Sequence, residues 1–285
     1  MTYNQLLKVA YKKAKAFHKE EEACKLLMME LSKQEPHLFF MNLNQEVEPS
    51  FESLYLEKLS LYLEKHIPIQ HIIGHAYFYG YPFNVNEHVL IPRKETEELV
   101  EHVLYYYDMY FSNQNVKVLD LGTGSGCIGL SLALEEKKMN VTISDISEKA
   151  LEVAISNKEK LHADATLILS DLFKNIEGKF DIIVSNPPYI PETETVEDIV
   201  KTEPSVALYG GIYGIDFYER ILKEVSHYLN QPGMICFEHG YQQKEAIKSL
   251  AETYLKEPNI IQLKDLQGRD RFTFIGFDHV FKIIE

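Results

Sequence analysis

Tryptophan is missing from the 285 residues, cysteine occurs only three times, and basic side chains are in deficit. The lack of tryptophan decides nothing about function. Cys24, Cys127 and Cys236 stand far apart, are odd in number and fall outside any CxxC spacing. That argues against a disulfide framework and against a zinc site, and it points to a reducing compartment. With 29 Lys and Arg against 43 Asp and Glu, the formal charge is −14. Such a chain gives up the long-range attraction between basic proteins and phosphate backbones, so tight binding to bulk nucleic acid needs a local basic patch; a protein partner stays open. No apolar run approaches the ~18 residues of a membrane span. The N-terminus has neither the apolar core of a signal peptide nor the acid-poor, Arg-rich bias of a transit peptide, which predicts a cytoplasmic protein without membrane contact. What remains, 45% hydrophobic and 12% aromatic residues, is the make-up of a folded chain with one large domain, or a core domain and an appendage.

Residues 1 to about 75 read as helices without strands. Phe51, Leu54, Tyr55, Leu59 and Tyr62 recur at the spacing of one helix face, and Leu6–Phe17 and Ala23–Leu31 look similar. The plain reading is a small helical bundle with solvated charges, the sharper one a docking module. His75–Val89 changes texture, with Phe78, Gly80, Pro82, Phe83 and Val85 around a turn candidate at Asn86-Glu87, and predicts a hairpin or extended linker. A helix then opens at Lys94 or Thr96, with Leu99, Val103, Tyr107 and Tyr110 on its apolar face and Glu95, Glu97 and Glu98 in its first turn, where the helix dipole favours acids. Tyr105, Tyr106 and Tyr107 read as that helix face and its flanks rather than a stacking platform. From Val116 onward, β-rich runs (Val116–Leu121, Val141–Ile146, Thr166–Leu169, Phe180–Ser185, Met234–Glu238, Phe272–Phe277) alternate with helix-length segments, which predicts a mostly parallel sheet covered on both faces.

Two motifs carry chemistry. The first runs from Val118 to Gly129, a buried strand into a turn holding Gly122, Thr123, Gly124, Ser125 and Gly126, then a helix. Three alternating glycines let the backbone turn tightly and approach a ligand, with helix N–H groups facing it, and suit an adenosine-type cofactor. Asp145 ends the next strand about 20 residues on, where an acid can accept both ribose hydroxyls of NAD or of S-adenosylmethionine. The loop by itself does not choose between them. Asp120 tilts the choice, because Asp-x-Gly-x-Gly-x-Gly resembles the first motif of class I methyltransferases. Asp171, with Leu172 beside it, follows the third strand, where that fold contacts adenine; taken singly such a residue is more often a helix cap.

The second motif is Asn186-Pro187-Pro188-Tyr189, directly after the strand Phe180–Ser185 and so at the carboxyl edge of the sheet. Two prolines fix φ and remove two donors, leaving carbonyls free to accept. A planar NH₂ held by the Asn186 oxygen and the Pro187 carbonyl has its nitrogen aimed along a fixed line at a methyl sulfonium. This is catalysis by positioning, since an amide nitrogen is a poor nucleophile. It needs no metal.

At these residues the sequence resembles the HemK-type protein-(glutamine-N5) methyltransferases that modify peptide chain release factors. The resemblance extends over Pro68 to Gly74, Phe78 to Gly80, Val89 to Val100, the Gly loop, Asn186 to Ile190, Glu203-Pro204, Phe237 to Gly240 and Gly268 to Arg271. It implies an α/β fold: a class I, Rossmann-like S-adenosylmethionine-dependent methyltransferase sheet (91–285) with a small N-terminal all-α substrate-recognition domain (1–75) joined by a β-hairpin linker (76–90). It implies methyl transfer from S-adenosylmethionine, leaving S-adenosylhomocysteine, to the glutamine amide in the Gly-Gly-Gln motif of bacterial-type class I release factors, by a monomer. Carried over, Gly122, Thr123, Gly124, Ser125, Gly126, Asp145, Asp171, Leu172 and Asn186 are cofactor contacts, and Asn186, Pro187, Pro188 and Tyr189 hold the glutamine. Lys94 stands where the family usually has a second proline, and His71 where it usually has a tyrosine; both bear on linker and partner surface rather than on the reaction. Arg93 and Glu95 are candidate substrate contacts, as an ion pair closing the rim or as a charge pair at a helix start. Glu238 and His239 read as a structural polar pair rather than a catalytic base. Two rival functions use the same turn or loop. An adenine-N6 nucleic-acid methyltransferase must extract its base from a stack, for which a −14 chain is poorly equipped. A non-catalytic S-adenosylmethionine-binding protein leaves the intact Asn-Pro-Pro-Tyr turn unexplained.

Overall fold

The computed structural model describes residues 1–112 and 114–282. The chain divides into two compact units: residues 1–75 with 196–202, and residues 76–195 with 203–285.

The first unit is helical: α1 (Tyr3–Ala16), α2 (Glu21–Ser32), α3 (Pro36–Met41), α4 (Pro49–Lys65) and α5 (Ile69–Ile73). Local chemistry sets the ends. Thr2 and Gln5 form a capping box at the start of α1, and Pro36 and Pro49 sit in the first turns of α3 and α4, where a missing N–H costs nothing. Leu6, Leu27, Met28, Phe39, Tyr55 and Leu59 form the shared core, and Ile199, from the segment 196–202, packs against it.

In the second unit, β1 (His75–Phe78) and β2 (Tyr81–Asn84) form a hairpin. Its turn is Tyr79-Gly80, both at positive φ, and not Asn86-Glu87. Two successive left-handed residues match the twist of paired strands. Gly80 signals this, whereas a tyrosine at positive φ is not foreseeable from composition. α6 (Lys94–Phe111) follows, then β3 (Val116–Leu121), α7 (Cys127–Glu135), β4 (Met139–Asp145), α8 (Glu148–Leu161), β5 (Ala165–Leu169), β6 (Phe180–Ser185), α9 (Asp216–Glu224), β7 (Leu229–Glu238), α10 (Lys244–Tyr254), β8 (Asn259–Lys264) and β9 (Asp270–Phe277). They make a seven-stranded sheet in the order β5-β4-β3-β6-β7-β9-β8. The pairs among β3 to β7 are parallel; β9 runs antiparallel to both β7 and β8. β8 is an edge strand of half-buried residues without clean alternation, which is why the pattern of buried strands passed over it.

Successive residues serve opposite cores. Val118, Ile182 and Met234 face α6 and α7, while Leu119, Ile183 and Ile235 face Tyr218, Ile221 and Leu222 of α9 and Ile247 and Ala251 of α10. Strand order reverses at β3, flanked by β4 on one side and β6 on the other. The crevice outside the carboxyl ends of these strands is the place where such a sheet takes a ligand.

Candidate active site

β3 ends at Leu121 and the chain turns through Gly122, Gly124 and Gly126, all at positive φ, into α7. Asp120 lies fully buried beneath the turn. Its Oδ2 accepts the Thr123 hydroxyl at 2.6 Å and the Gly129 N–H at 2.9 Å, so the acid pins the loop to the helix it feeds. Burial pushes this carboxyl up to about 7, against those two hydrogen bonds. Asp145, at the end of β4, holds the outer side: Oδ2 accepts Gly124 N–H and Oδ1 accepts Ser147 N–H, both at 2.9 Å. Burial raises its pKa too. A Cβ at Gly122 or Gly124 would meet no atom within 4 Å, so the backbone there lies bare to whatever occupies the cavity.

On the other side of the crevice, Ser185 at the end of β6 donates its hydroxyl to the Leu121 carbonyl at 2.6 Å, tying the two strand ends together. Asn186 follows, its Nδ2 donating to Thr96 Oγ1 at 3.2 Å. The Tyr189 carbonyl accepts Gln243 Nε2 at 2.6 Å, and burial pushes the Tyr189 hydroxyl up to about 12.

One cavity of about 190 Å³ joins both sides. Its walls include Gly122, Thr123, Gly124, Ser125, Asp145, Asp171, Leu172, Arg93, Asn186, Pro187 and Pro188. Gly126, Glu95 and Tyr189 are not part of its wall. Gly126 instead closes the turn against Leu130, where a Cβ would lie 2.8 Å from Cδ1. Glu95 accepts Gln267 Nε2 at 3.3 Å and does not pair with Arg93. The Arg93 guanidinium binds Glu203 at 2.5 Å, because Glu203 is brought in by the chain after Asn186-Pro187-Pro188-Tyr189 while Glu95 points along α6 to the β8–β9 turn. Asp171 accepts the Arg220 guanidinium at 2.7 Å at the cavity wall, a partner from α9 that no local pattern announces.

A methyltransferase small domain model matches residues 103–207, a span that holds both the Gly loop and the Asn186 turn. The release factor glutamine methyltransferase of Bacillus anthracis is 38% identical over 262 residues, covering 90% of this chain and 92% of that protein. This chain belongs to the release factor glutamine methyltransferases. The Bacillus subtilis (strain 168) member is 40% identical over 261 residues, covering 89% of this chain and 90% of its own. A crystal structure of a methyltransferase from Pyrococcus furiosus, 20% identical, superposes with a TM-score of 0.52 over 70% of this chain and 91% of its own, a likeness of fold.

In this release factor glutamine methyltransferase, four side chains lie near the site in places that the motifs do not announce. Glu203, 5% exposed, accepts the Ile91 N–H as well as Arg93, fastening the stretch before α6. Gln243, 7% exposed, donates to the carbonyls of Tyr189 and Gly214 and accepts the Gly240 N–H. Thr96 meets Asn186, and Glu238 is buried at the end of β7 with its carboxyl pushed up to about 7 by burial. Glu203-Pro204 and Glu238-His239 were visible as motifs, but which groups they serve depends on contacts across the sheet. Lys94 opens α6 and pairs with Glu97 at 2.8 Å; neither it nor His71 lines the cavity.

Proposed function

We propose that the chain methylates the side-chain amide nitrogen of the glutamine in the Gly-Gly-Gln motif of peptide chain release factors, using S-adenosylmethionine and leaving S-adenosylhomocysteine. The observation that carries this reading is the single cavity walled both by the glycine turn with Asp145 and by Asn186-Pro187.

The residues fit the cofactor. The bare loop at Gly122 and Gly124 admits close approach, and the Asp145 carboxylate, which accepts the N–H groups of Gly124 and Ser147 on its two oxygens, is acceptor-only and can also take a ribose hydroxyl. Gly122 to Ser125, Asp145, Asp171 and Leu172 are the residues that would hold it. When bound, it supplies an electrophilic methyl group on a sulfonium sulfur.

The chain itself does the positioning. Asn186 Oδ1 and the Pro187 carbonyl receive no hydrogen bond among the described residues, so both are available to the two hydrogens of a substrate NH₂. Two acceptors stop that group rotating and draw electron density onto its nitrogen, and the apolar cavity excludes water from the transfer. Attack through the nitrogen would leave an N-protonated amide cation, which is strongly acidic and gives its proton to water on product release, so no dedicated base is required.

We infer that the helical unit of residues 1–75 recognises the release factor outside its glutamine loop, and that the protein acts in the cytoplasm as a monomer, without direct contact to nucleic acid or membrane. The −14 charge supports a protein substrate over a phosphate backbone, and no described helix is long and apolar enough to cross a membrane.

The test is transfer of a labelled methyl group to a purified release factor, to its Gln→Ala variant in the Gly-Gly-Gln loop, and to unmethylated DNA. Label on the intact release factor alone is expected. Label on DNA would replace this reading with adenine methylation.

A further inference from the structure

Asn157 of α8 is 0% exposed, and an amide so placed must find partners for its oxygen and for both hydrogens. It finds all three. Oδ1 accepts the Asn84 N–H at 2.6 Å, while Nδ2 donates to the Asn84 carbonyl at 3.0 Å and to the Ser125 carbonyl at 2.8 Å. Bracketing the N–H and C=O of one residue fixes which way the amide faces, because a flip would set oxygen against carbonyl and NH₂ against N–H. The side chain therefore pairs with the last residue of β2 as a neighbouring strand would, and the same NH₂ grips the glycine loop between Gly124 and Gly126. Asn84 is tied to α8 twice more: its Nδ2 donates to Ser156 Oγ at 2.9 Å and its Oδ1 accepts Lys160 Nζ at 2.7 Å. Ser125 walls the cavity, whereas none of residues 75–84, Ser156, Asn157 or Lys160 does.

We infer that Asn157 is a positioning residue for the cofactor loop, and that through it the seating of β2 on α8 and the binding of S-adenosylmethionine strengthen one another. The inference rests on the cofactor lying against Gly122 to Ser125, as proposed above. The peptide between Ser125 and Gly126 is held at both ends, its carbonyl by Asn157 and its N–H by the Thr123 carbonyl at 2.9 Å. Its plane, and with it the course of the loop, depends on where Asn157 stands. Asn157 in turn is held from its other side by Asn84, so a hairpin that does not touch the cavity acts on cofactor affinity. Linkage makes the coupling reciprocal: whatever the seated hairpin adds to cofactor binding, the bound cofactor adds to hairpin seating.

The test is a double-mutant cycle on the full-length chain, read by calorimetric titration with S-adenosylhomocysteine, together with amide hydrogen exchange. Asn157→Leu should weaken binding on the order of tenfold. Asn84→Ala removes only the side-chain bonds to Ser156 and Lys160; it should weaken binding about threefold in the wild-type background and leave it unchanged in Asn157→Leu. Saturating S-adenosylhomocysteine should slow exchange of the Asn84 N–H by a larger factor than it slows the N–H groups of edge strand β8, which report general stabilisation, and the excess should vanish in Asn157→Leu. A residue that only supports the fold would give neither the non-additivity nor the excess. Equal weakening by Asn84→Ala in both backgrounds, or none in the wild type, overturns the inference. Should Asn157→Leu not fold, the wild-type exchange and the Asn84→Ala affinity decide the matter between them. A wild type that does not bind S-adenosylhomocysteine sinks the proposed function and this inference with it, whereas a wild type that binds it without the excess at Asn84 sinks the inference alone.

Discussion

The Gln243 side-chain amide donates to the Tyr189 carbonyl at 2.6 Å, and through that bond α10 holds the end of the Asn186 turn. The same NH₂ reaches the Gly214 carbonyl at 2.9 Å, while its oxygen accepts Gly240 N–H at 2.9 Å. One buried amide thus joins three loops at the carboxyl edge of the sheet. Substituting Gln243→Glu replaces the donor with a carboxylate facing two carbonyl oxygens, and should cost about 3 kcal/mol, as an uncompensated buried charge does. Gln243→Leu should cost less, about 1–2 kcal/mol, for three unmade bonds. Urea unfolding of both variants checks the order, which reverses if shape rather than donor chemistry matters there.

Asn186 and Asp145 line one cavity, and in the proposed reaction they serve different halves of it, substrate and cofactor. Asn186→Ala should lower kcat on the order of 10²-fold to 10³-fold and leave S-adenosylmethionine affinity nearly unchanged. Asp145→Ala removes the acceptor of the Gly124 N–H as well as the proposed ribose partner, and should weaken cofactor binding by about tenfold or more, roughly 1.4 kcal/mol. Calorimetric titration alongside single-turnover transfer separates the two effects; a loss of cofactor affinity in both variants would refute the division of roles.

Asp120 makes stability depend on pH in a direction opposite to that of an ion-paired carboxylate. Its carboxyl sits at about 7 in the folded chain against an ordinary 3.8, so between those values the native state binds more protons than the unfolded one. Stability contributed by this group is full below 3.8 and is lost as pH rises through about 7. Asp120→Asn should therefore flatten the fall in Tm between about pH 5.5 and 8, measured without cofactor. An equally steep fall in the variant would mean that Asp120 is ionised in the native state throughout.

Phe40 and Met41, at the end of α3, are 51% and 76% exposed on the helical unit. If that unit grips the release factor, Phe40→Ser with Met41→Ser should raise KM for the whole release factor severalfold and leave stability within about 0.5 kcal/mol, as exposed substitutions do. A short Gly-Gly-Gln peptide should be methylated at the same rate by both proteins. Unchanged KM for the intact factor would place recognition elsewhere.

The motifs were legible because their physics is local. Gly122, Gly124 and Gly126 announce a turn that only residues without Cβ enter easily, and Pro187-Pro188 announce a backbone with carbonyls and no donors. The helical N-terminal stretch and the alternation of strand and helix follow from apolar periodicity in the same way. Arg93 shows where that ends. Its nearest acid along the chain is Glu95, and the pair it makes is with Glu203, because α6 sends the Glu95 carboxyl toward Gln267.

The sequence by itself determined the reaction class, through residues whose backbone constraints act over four or five positions. Which strand is the edge, that 196–202 joins the helical unit, that Thr96 and Gln243 hold the Asn186 turn, and that Glu203 fastens the stretch before α6 were decided only by the tertiary structure. The reason is physical: a buried polar side chain must find its partner in space, and the partner's distance along the chain carries no part of that energy.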